Sequence, residues 1–190
     1  MRRIIASLIA LSFLLTASTA WSIQGYKDRH GTFVGGSIGG GPGSVQYDDQ
    51  DTGLEGRGNL GLATNLIFGA GATSNVLFGA EVNNWTRTTD VGGDTLTHMH
   101  WSFNAMSNIF LVEGLFVEGG LGLAYGMSDT RVGGEERSHS EMGLALKAGT
   151  GFEYFVDGTV AAGLGFGYTR HFYSNIDFDT FIGSIRLRWY

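Results

Sequence analysis

Cysteine is absent from the 190 residues. That excludes a disulfide framework, a thiolate metal centre and lipid attachment at an N-terminal cysteine. Proline occurs once against 32 glycines, a ratio that fits neither a Pro/Gly-rich linker nor the strict period of collagen. Charge is scarce: Asp, Glu, Lys and Arg make up 16% of the chain, where a soluble domain carries about 25%. The formal charge is −6, with no cluster of lysine or arginine, so no nucleic-acid partner is expected. Beyond residue 20, finally, there is no run of about 18 apolar residues that would cross a bilayer as a helix.

What is present begins with an export signal. Met1-Arg2-Arg3 forms a positive n-region, Ile4 to Leu15 an apolar stretch, and Ser18-Thr19-Ala20 a small-residue cleavage site. That stretch is shorter than the about 20 residues of a spanning helix, so it is expected to be removed rather than kept as an anchor. The organisation expected is a signal peptide over 1–20 and a single domain over 21–190. An exported chain that is apolar yet lacks membrane helices points to strands, because about 9–11 alternating residues suffice to span when neighbouring strands satisfy each other's backbone groups.

Alternation is found in segment after segment. Leu60, Leu62, Thr64, Leu66 and Phe68 oppose Asn59, Gly61, Ala63, Asn65 and Ile67, and Val76, Phe78, Ala80 and Val82 oppose Leu77, Gly79, Glu81 and Asn83. Further on, Leu115, Val117, Leu121, Leu123 and Tyr125 oppose Phe116, Glu118, Gly120, Gly122 and Ala124, while Met142, Leu144, Leu146 and Phe152 oppose Gly143, Ala145, Lys147 and Gly151. Leu164, Phe166 and Tyr168 face away from Gly163, Gly165 and Gly167; Ile185, Leu187 and Trp189 face away from Ser184, Arg186 and Arg188. Segments 32–41 and 97–105 are less regular, and with them the count is eight. A soluble sandwich or lipocalin-like barrel would bury its large apolar residues. Here they share one face while glycine, asparagine, serine and charge share the other, the inverted arrangement that a bilayer demands.

The segments between strands fit the same reading. Long stretches at 42–55, 87–94, 127–140 and 172–178 alternate with short ones at 71–75, 111–114 and 156–158, the last an Asp157-Gly158 turn. Outer loops and periplasmic turns of a membrane barrel differ in this way, and both termini then fall in the periplasm. Aromatics near strand ends suggest girdles at the headgroups: Phe68, Phe78, Phe152, Tyr154, Trp189 and Tyr190 on the periplasmic side, and Trp85, Trp101, Tyr125, Tyr168 and Phe172 on the outer side.

The terminal segment Ile185-Arg186-Leu187-Arg188-Trp189-Tyr190 resembles the last strand of outer-membrane barrels. In those proteins the alternating apolar residues and final aromatic are read by the barrel-assembly machinery, so the resemblance implies an assembly signal at Ile185, Leu187, Trp189 and Tyr190. From Phe33-Val34-Gly35-Gly36 to Trp189 the chain resembles the small OmpA/OmpX-type superfamily, through segments such as Phe116-Val117-Glu118-Gly119-Gly120-Leu121-Gly122 and Gly149-Thr150-Gly151-Phe152-Glu153-Tyr154-Phe155. It implies an all-β, antiparallel up-and-down transmembrane barrel of about eight strands in the outer membrane of a Gram-negative cell. A monomer in contact with outer-membrane lipid and lipopolysaccharide is expected.

Fold does not fix function, and three classes remain open. The first is a non-enzymatic barrel, without cofactor, that stabilises the envelope or presents surface loops. The second is a hydrolase: His171-Phe172-Tyr173-Ser174-Asn175 resembles the His-x-Ser-Asn motif of lipid A deacylases. Its spacing of three rather than two sets histidine and serine on opposite strand faces, where the base cannot reach the nucleophile. The third is a small-solute pore. Glu81, Glu118 and Glu153 face inward with Lys147, Arg186 and Arg188, and three anions against three cations make a lumen ionic network. About eight strands enclose only enough room for side chains, so a polar plug is expected ahead of a conducting path. His98 and His100 share a face and His171 lies near them, but two histidines without a third ligand assign no metal site. Acids at Asp48, Asp49, Asp51, Asp129, Glu135 and Glu136 are expected to be a solvated outer surface.

Overall fold

The computed structural model describes residues 29–47, 59–91, 94–132, 135–174 and 176–190. The expected signal peptide, and the loop acids Asp48, Asp49 and Asp51, lie outside the described residues. The elements are β1 (Gly31–Tyr47), β2 (Asn59–Thr73), β3 (Val76–Val91), β4 (Asp94–Phe110), β5 (Leu115–Val132), β6 (Glu135–Phe155), β7 (Val160–Phe172) and β8 (Ile176–Trp189). Each pairs antiparallel with the next, and β8 returns to β1, with Val34 beside Trp189 and Tyr47 beside Ile176, closing the barrel.

Alternation places the side chains as the pattern demands. Leu60, Leu66, Leu121, Phe166 and Ile185 stand outside, each more than 60% exposed, while Leu77 and Phe116 are fully buried within. An outer wall of bare leucine, phenylalanine and methionine would aggregate in water; hydrocarbon solvates it. The lumen is filled in layers. Phe33, Ile67, Leu77, Met106, Phe110 and Phe116 pack near the end that carries both termini, and Trp85, Ala124, Ala145, Tyr173 and Phe178 pack toward the other. The charged residues lie between and beside these groups.

The strands outrun the expected lengths. Segments 87–94 and 127–140 are not loops: β3 pairs with β4 up to Val91 and Asp94, and β5 with β6 up to Val132 and Glu135. Threonine does much of this, since it favours extended backbone and bonds across the ladder. The Thr88 and Thr97 hydroxyls meet at 3.1 Å, and Thr95 donates to Asp90 at 2.9 Å. The glycine pairs at 92–93 and 133–134 are the dipeptides that suit two-residue hairpins. Residues 172–178 are likewise mostly strand, with the Tyr173 amide donating to the Ile176 carbonyl at 3.0 Å.

Two aromatics assigned to the girdles lie inside instead. Trp85 is 3% exposed and donates its indole N–H to the Gly41 carbonyl at 3.2 Å. It shares the parity of Glu81 and Asn83, so the pleat turns it inward. Tyr190 has the parity of Arg186 and Arg188, and its ring packs against Phe33 and Phe155 at centroid distances of 5.9 and 5.3 Å.

This division of faces yields a depth-dependent expectation. Leu121 faces outward roughly midway along the apolar run from Leu115 to Tyr125, so Leu121→Arg should cost ~2–4 kcal/mol in lipid vesicles. Thr88→Arg, outward on the extension beyond that run, should cost only about 0–1 kcal/mol. Urea unfolding of both refolded variants measures the difference; equal costs would mean that the apolar wall does not meet lipid.

Candidate functional site

Inside the wall, an ion must find its partners among other side chains, because water is scarce. Lys147 on β6 donates to both carboxylate oxygens of Glu81 on β3, at 2.7 and 2.8 Å, and stands 3.3 Å from Glu118 on β5. Arg186 on β8 grips Glu118 with two parallel bonds of 2.6 and 2.7 Å, the bidentate geometry that a guanidinium prefers. The Asn83 amide donates to Glu81, and Asn65 donates to Asn83 at 2.8 Å.

A second group closes the end that carries both termini. Glu153 accepts from Arg188 at 3.1 Å, from Arg29 at 3.0 Å and from the Tyr190 hydroxyl. Fully buried Asn108 joins the two groups, donating to Glu118 at 3.1 Å and accepting from Arg188 at 3.3 Å. Arg29 is a cation that alternation could not find, because it precedes the first strand. Its guanidinium lies 3.8 Å above the Phe110 ring, and a Cβ on Gly71 would stand 1.9 Å from its carbonyl oxygen. Arg29 thus lies against the barrel's end, its carbonyl beside Gly71 and its side chain over Phe110. All six acidic and basic residues assigned to the lumen face it, joined by Arg29.

Toward the other end, rings form a plug. His100 stacks on Phe178 at 3.7 Å, Trp85 tilts against Phe178 at 5.0 Å, and His171 lies 5.7 Å from His100. The Tyr173 hydroxyl bonds to His100 Nδ1 at 3.0 Å. Burial, helped by the nearby Glu141 carboxylate, raises the Tyr173 pKa above its ordinary value, so the hydroxyl stays protonated. Between plug and charges is a cavity of about 40 Å³, room for no more than a few waters.

Above the plug opens a larger cavity of about 300 Å³, lined by His98, His100, His139, Glu141, Tyr173 and Met127 among others. Neither His139 nor Glu141 stands out in the sequence, because His139 falls in the loop expected over 127–140 and Glu141 just ahead of the alternation that starts at Met142. Their spacing of two, on the inward parity of Ala145 and Lys147, was the available signal.

The residues of the hydrolase reading are held apart. His171 faces the lumen and meets the Phe178 carbonyl at 3.1 Å, whereas Ser174 is exposed on the connection between β7 and β8. Asp177 and Asp179, the nearby acids that could orient a histidine, are engaged elsewhere: Asp177 pairs with Arg170, and Asp179 accepts from the Tyr168 hydroxyl at 2.7 Å, both partners being on the outward face. Ile185, Leu187 and Trp189 face outward, in contrast to Tyr190.

No protein-family model matches the sequence, and no curated protein matches it either. Solved structures do. The fold is similar to that of Ail, the attachment invasion locus protein of Yersinia pestis, crystallised with the heparin analogue sucrose octasulfate: the TM-score is 0.62 at 17% identity, covering 83% of this chain and 99% of that one. Neisserial surface protein A gives 0.55 at 12% identity, covering 84% of this chain and 99% of that one. Outer membrane protein OprG from Pseudomonas aeruginosa gives 0.50 at 15% identity, covering 85% of this chain and 96% of that one. With its closed eight-stranded ladder and apolar outer wall, the chain has the fold of the small outer-membrane β-barrels.

Proposed function

We propose that this is a non-enzymatic, non-conducting barrel of the outer membrane, which stabilises the envelope and carries its outer hairpins beyond the lipid as a surface for interaction. The observation that carries this reading is the cross-lumen contact of Lys147 with Glu81 and Glu118, one cation held between two carboxylates on other strands. A path for solute through such a section would require breaking a buried pair, at about 3–5 kcal/mol. Arg29, Arg188 and Tyr190 around Glu153 seal the section below, and the ring plug seals the one above.

Absence of hydrolysis is supported by the outward Ser174 and the inward His171, which form no nucleophile and base pair. The extended hairpins β3–β4 and β5–β6 favour a surface role, since the ladder continues past the apolar wall as far as Val91 with Asp94 and Val132 with Glu135. Contact with lipid and lipopolysaccharide follows from the apolar wall and the aromatics at its edge. Ile185, Leu187, Trp189 and Tyr190 serve recognition by the barrel-assembly machinery, and the barrel works as a monomer.

Three measurements test this. Refolded protein in planar bilayers should give no single-channel steps; regular steps would overturn the closed lumen. Lipid A from cells with and without the gene should have the same acyl chains by mass spectrometry, and a chain lost only when the protein is present would restore the hydrolase. Lys147→Ala should lower unfolding stability by about 3–5 kcal/mol, because Glu81 is then buried without its cation. Lys147→Met, which fills the space without charge, should lose nearly as much. A neutral Lys147→Met would show that the pair contributes nothing to closing the lumen.

A further inference from the structure

The cavity above the ring plug has a wall whose register brings four metal-ligating side chains together. On β4, His98 and His100 face inward; on β6, His139 and Glu141 do the same; β5 runs between them. Ser128 lies between His98 and His139 in one row, and Gly126 between His100 and Glu141 in the next. The intervening β5 residues are small; over Gly126 the space is taken by the Tyr173 ring, 2.9 Å from where a Cβ would stand, and over Ser128 it opens to the cavity. Neighbouring strands are about 4.8 Å apart, which sets each pair of opposed donors roughly 10 Å apart at the backbone. The inner surface of a closed barrel is concave, so inward side chains from β4 and β6 converge above β5.

Two polar atoms at this cavity lack partners. His100 Nε2 and one oxygen of Glu141, Oε2, are buried without a hydrogen bond; both residues line this cavity, and His100 also borders the smaller one below it. His100 is 6% exposed, and an orphaned buried polar atom costs about 1–3 kcal/mol. In the present arrangement His139 is bonded to Glu141 at 2.9 Å and His100 to Tyr173 at 3.0 Å. Among the described residues no three donors yet surround one point. The His139 side chain is 74% exposed, so its rotation is unhindered by packing and would free Glu141 Oε1 as well.

The geometry points to a divalent transition-metal site at the outer mouth, formed by His98, His100, His139 and Glu141. Three imidazoles and one carboxylate suit zinc, nickel or copper, whereas magnesium and calcium require more oxygen donors. His139, on the cavity's wall, is exposed to solvent, which gives the ion an entry path from outside, and the volume leaves room for water in its coordination shell. Tyr173, bonded to the ring nitrogen of His100 that does not face the ion, orients that imidazole as outer partners of ligating histidines do.

The test uses the whole refolded barrel in detergent, with Cu²⁺ as a spectroscopic probe and Zn²⁺ for calorimetry. Wild type should bind one ion per barrel, and its copper electron paramagnetic resonance spectrum should show coupling to imidazole nitrogen. The double variant His98→Ala with His139→Ala should bind at least about tenfold more weakly. Glu141→Gln should weaken binding while keeping the nitrogen coupling, and Mg²⁺ should give no heat at either protein. His30→Ala, at the barrel's other end, should bind as wild type does. Each variant is checked for folding by its faster migration on a gel when unboiled. No nitrogen coupling in wild type, equal affinity in the double variant, or loss of binding on His30→Ala alone would each overturn the site. The wild-type spectrum decides the matter even if a variant fails to refold.

Discussion

A backbone amide in the hydrocarbon of a bilayer has no water to bond, and leaving it unpaired costs several kcal/mol. Everything else in this barrel is a consequence of meeting that requirement with strands. A ladder with an edge fails it, so β8 must return to β1. Closing with eight strands then fixes a lumen too narrow for bulk water, and the inward face has to be built as a core from whatever the alternation places there.

The abundance of glycine follows from the same narrowness. Large inward side chains need room, and the neighbouring wall provides it by having no side chain. A Cβ on Gly61 would stand 2.3 Å from the Trp85 ring, one on Gly151 2.6 Å from Phe116, and one on Gly165 2.3 Å from the Arg186 guanidinium. The glycines therefore complement the rings and the guanidinium of the neighbouring strand. An alanine at any of these positions would displace a group that itself closes the barrel. The ion pairs obey a related rule: Arg186 takes both oxygens of Glu118, and Asn108 uses both ends of its amide to tie that pair to Arg188. Such a network has value only when nearly every member is satisfied, which explains why it reaches from one terminal residue, Tyr190, to Arg29 ahead of the first strand.

Legibility in the sequence divides along the same physical line. Where one strand face meets lipid and the other the lumen, the contrast between Leu, Phe or Met and Gly, Asn or Glu is large, and the faces from Leu60 to Trp189 are readable from parity alone. Above the bilayer both faces are polar and the contrast vanishes, so 87–94 and 127–140 resemble loops although β3 and β5 run to Val91 and Val132, and β4 and β6 start at Asp94 and Glu135. For Trp85 and Tyr190 aromatic identity points to a girdle and parity points inward, and the pleat follows parity. The faces of the charged residues were legible, whereas their partners were not. Lys147 and Glu81 are 66 positions apart, and which residues meet at one height depends on strand stagger, a property of the closed sheet that no local pattern encodes.

These constraints also explain where a small barrel has freedom to evolve a ligand site. Within the bilayer each inward residue is held by its partners: exchanging Lys147 strands Glu81, and enlarging Gly61 displaces Trp85. Each outward residue there is confined to what lipid accepts. Only above the ring plug are both constraints relaxed, for the strands continue to register His98 with Ser128 and His139 although neither packing nor lipid any longer dictates what those residues must be. Rigid pairing combined with free choice of side chain is what a binding site needs. The cost of extending β3 to β6 beyond the membrane is intelligible on this basis, because spanning alone would be served by about 9–11 residues per strand, whereas β6 has 21.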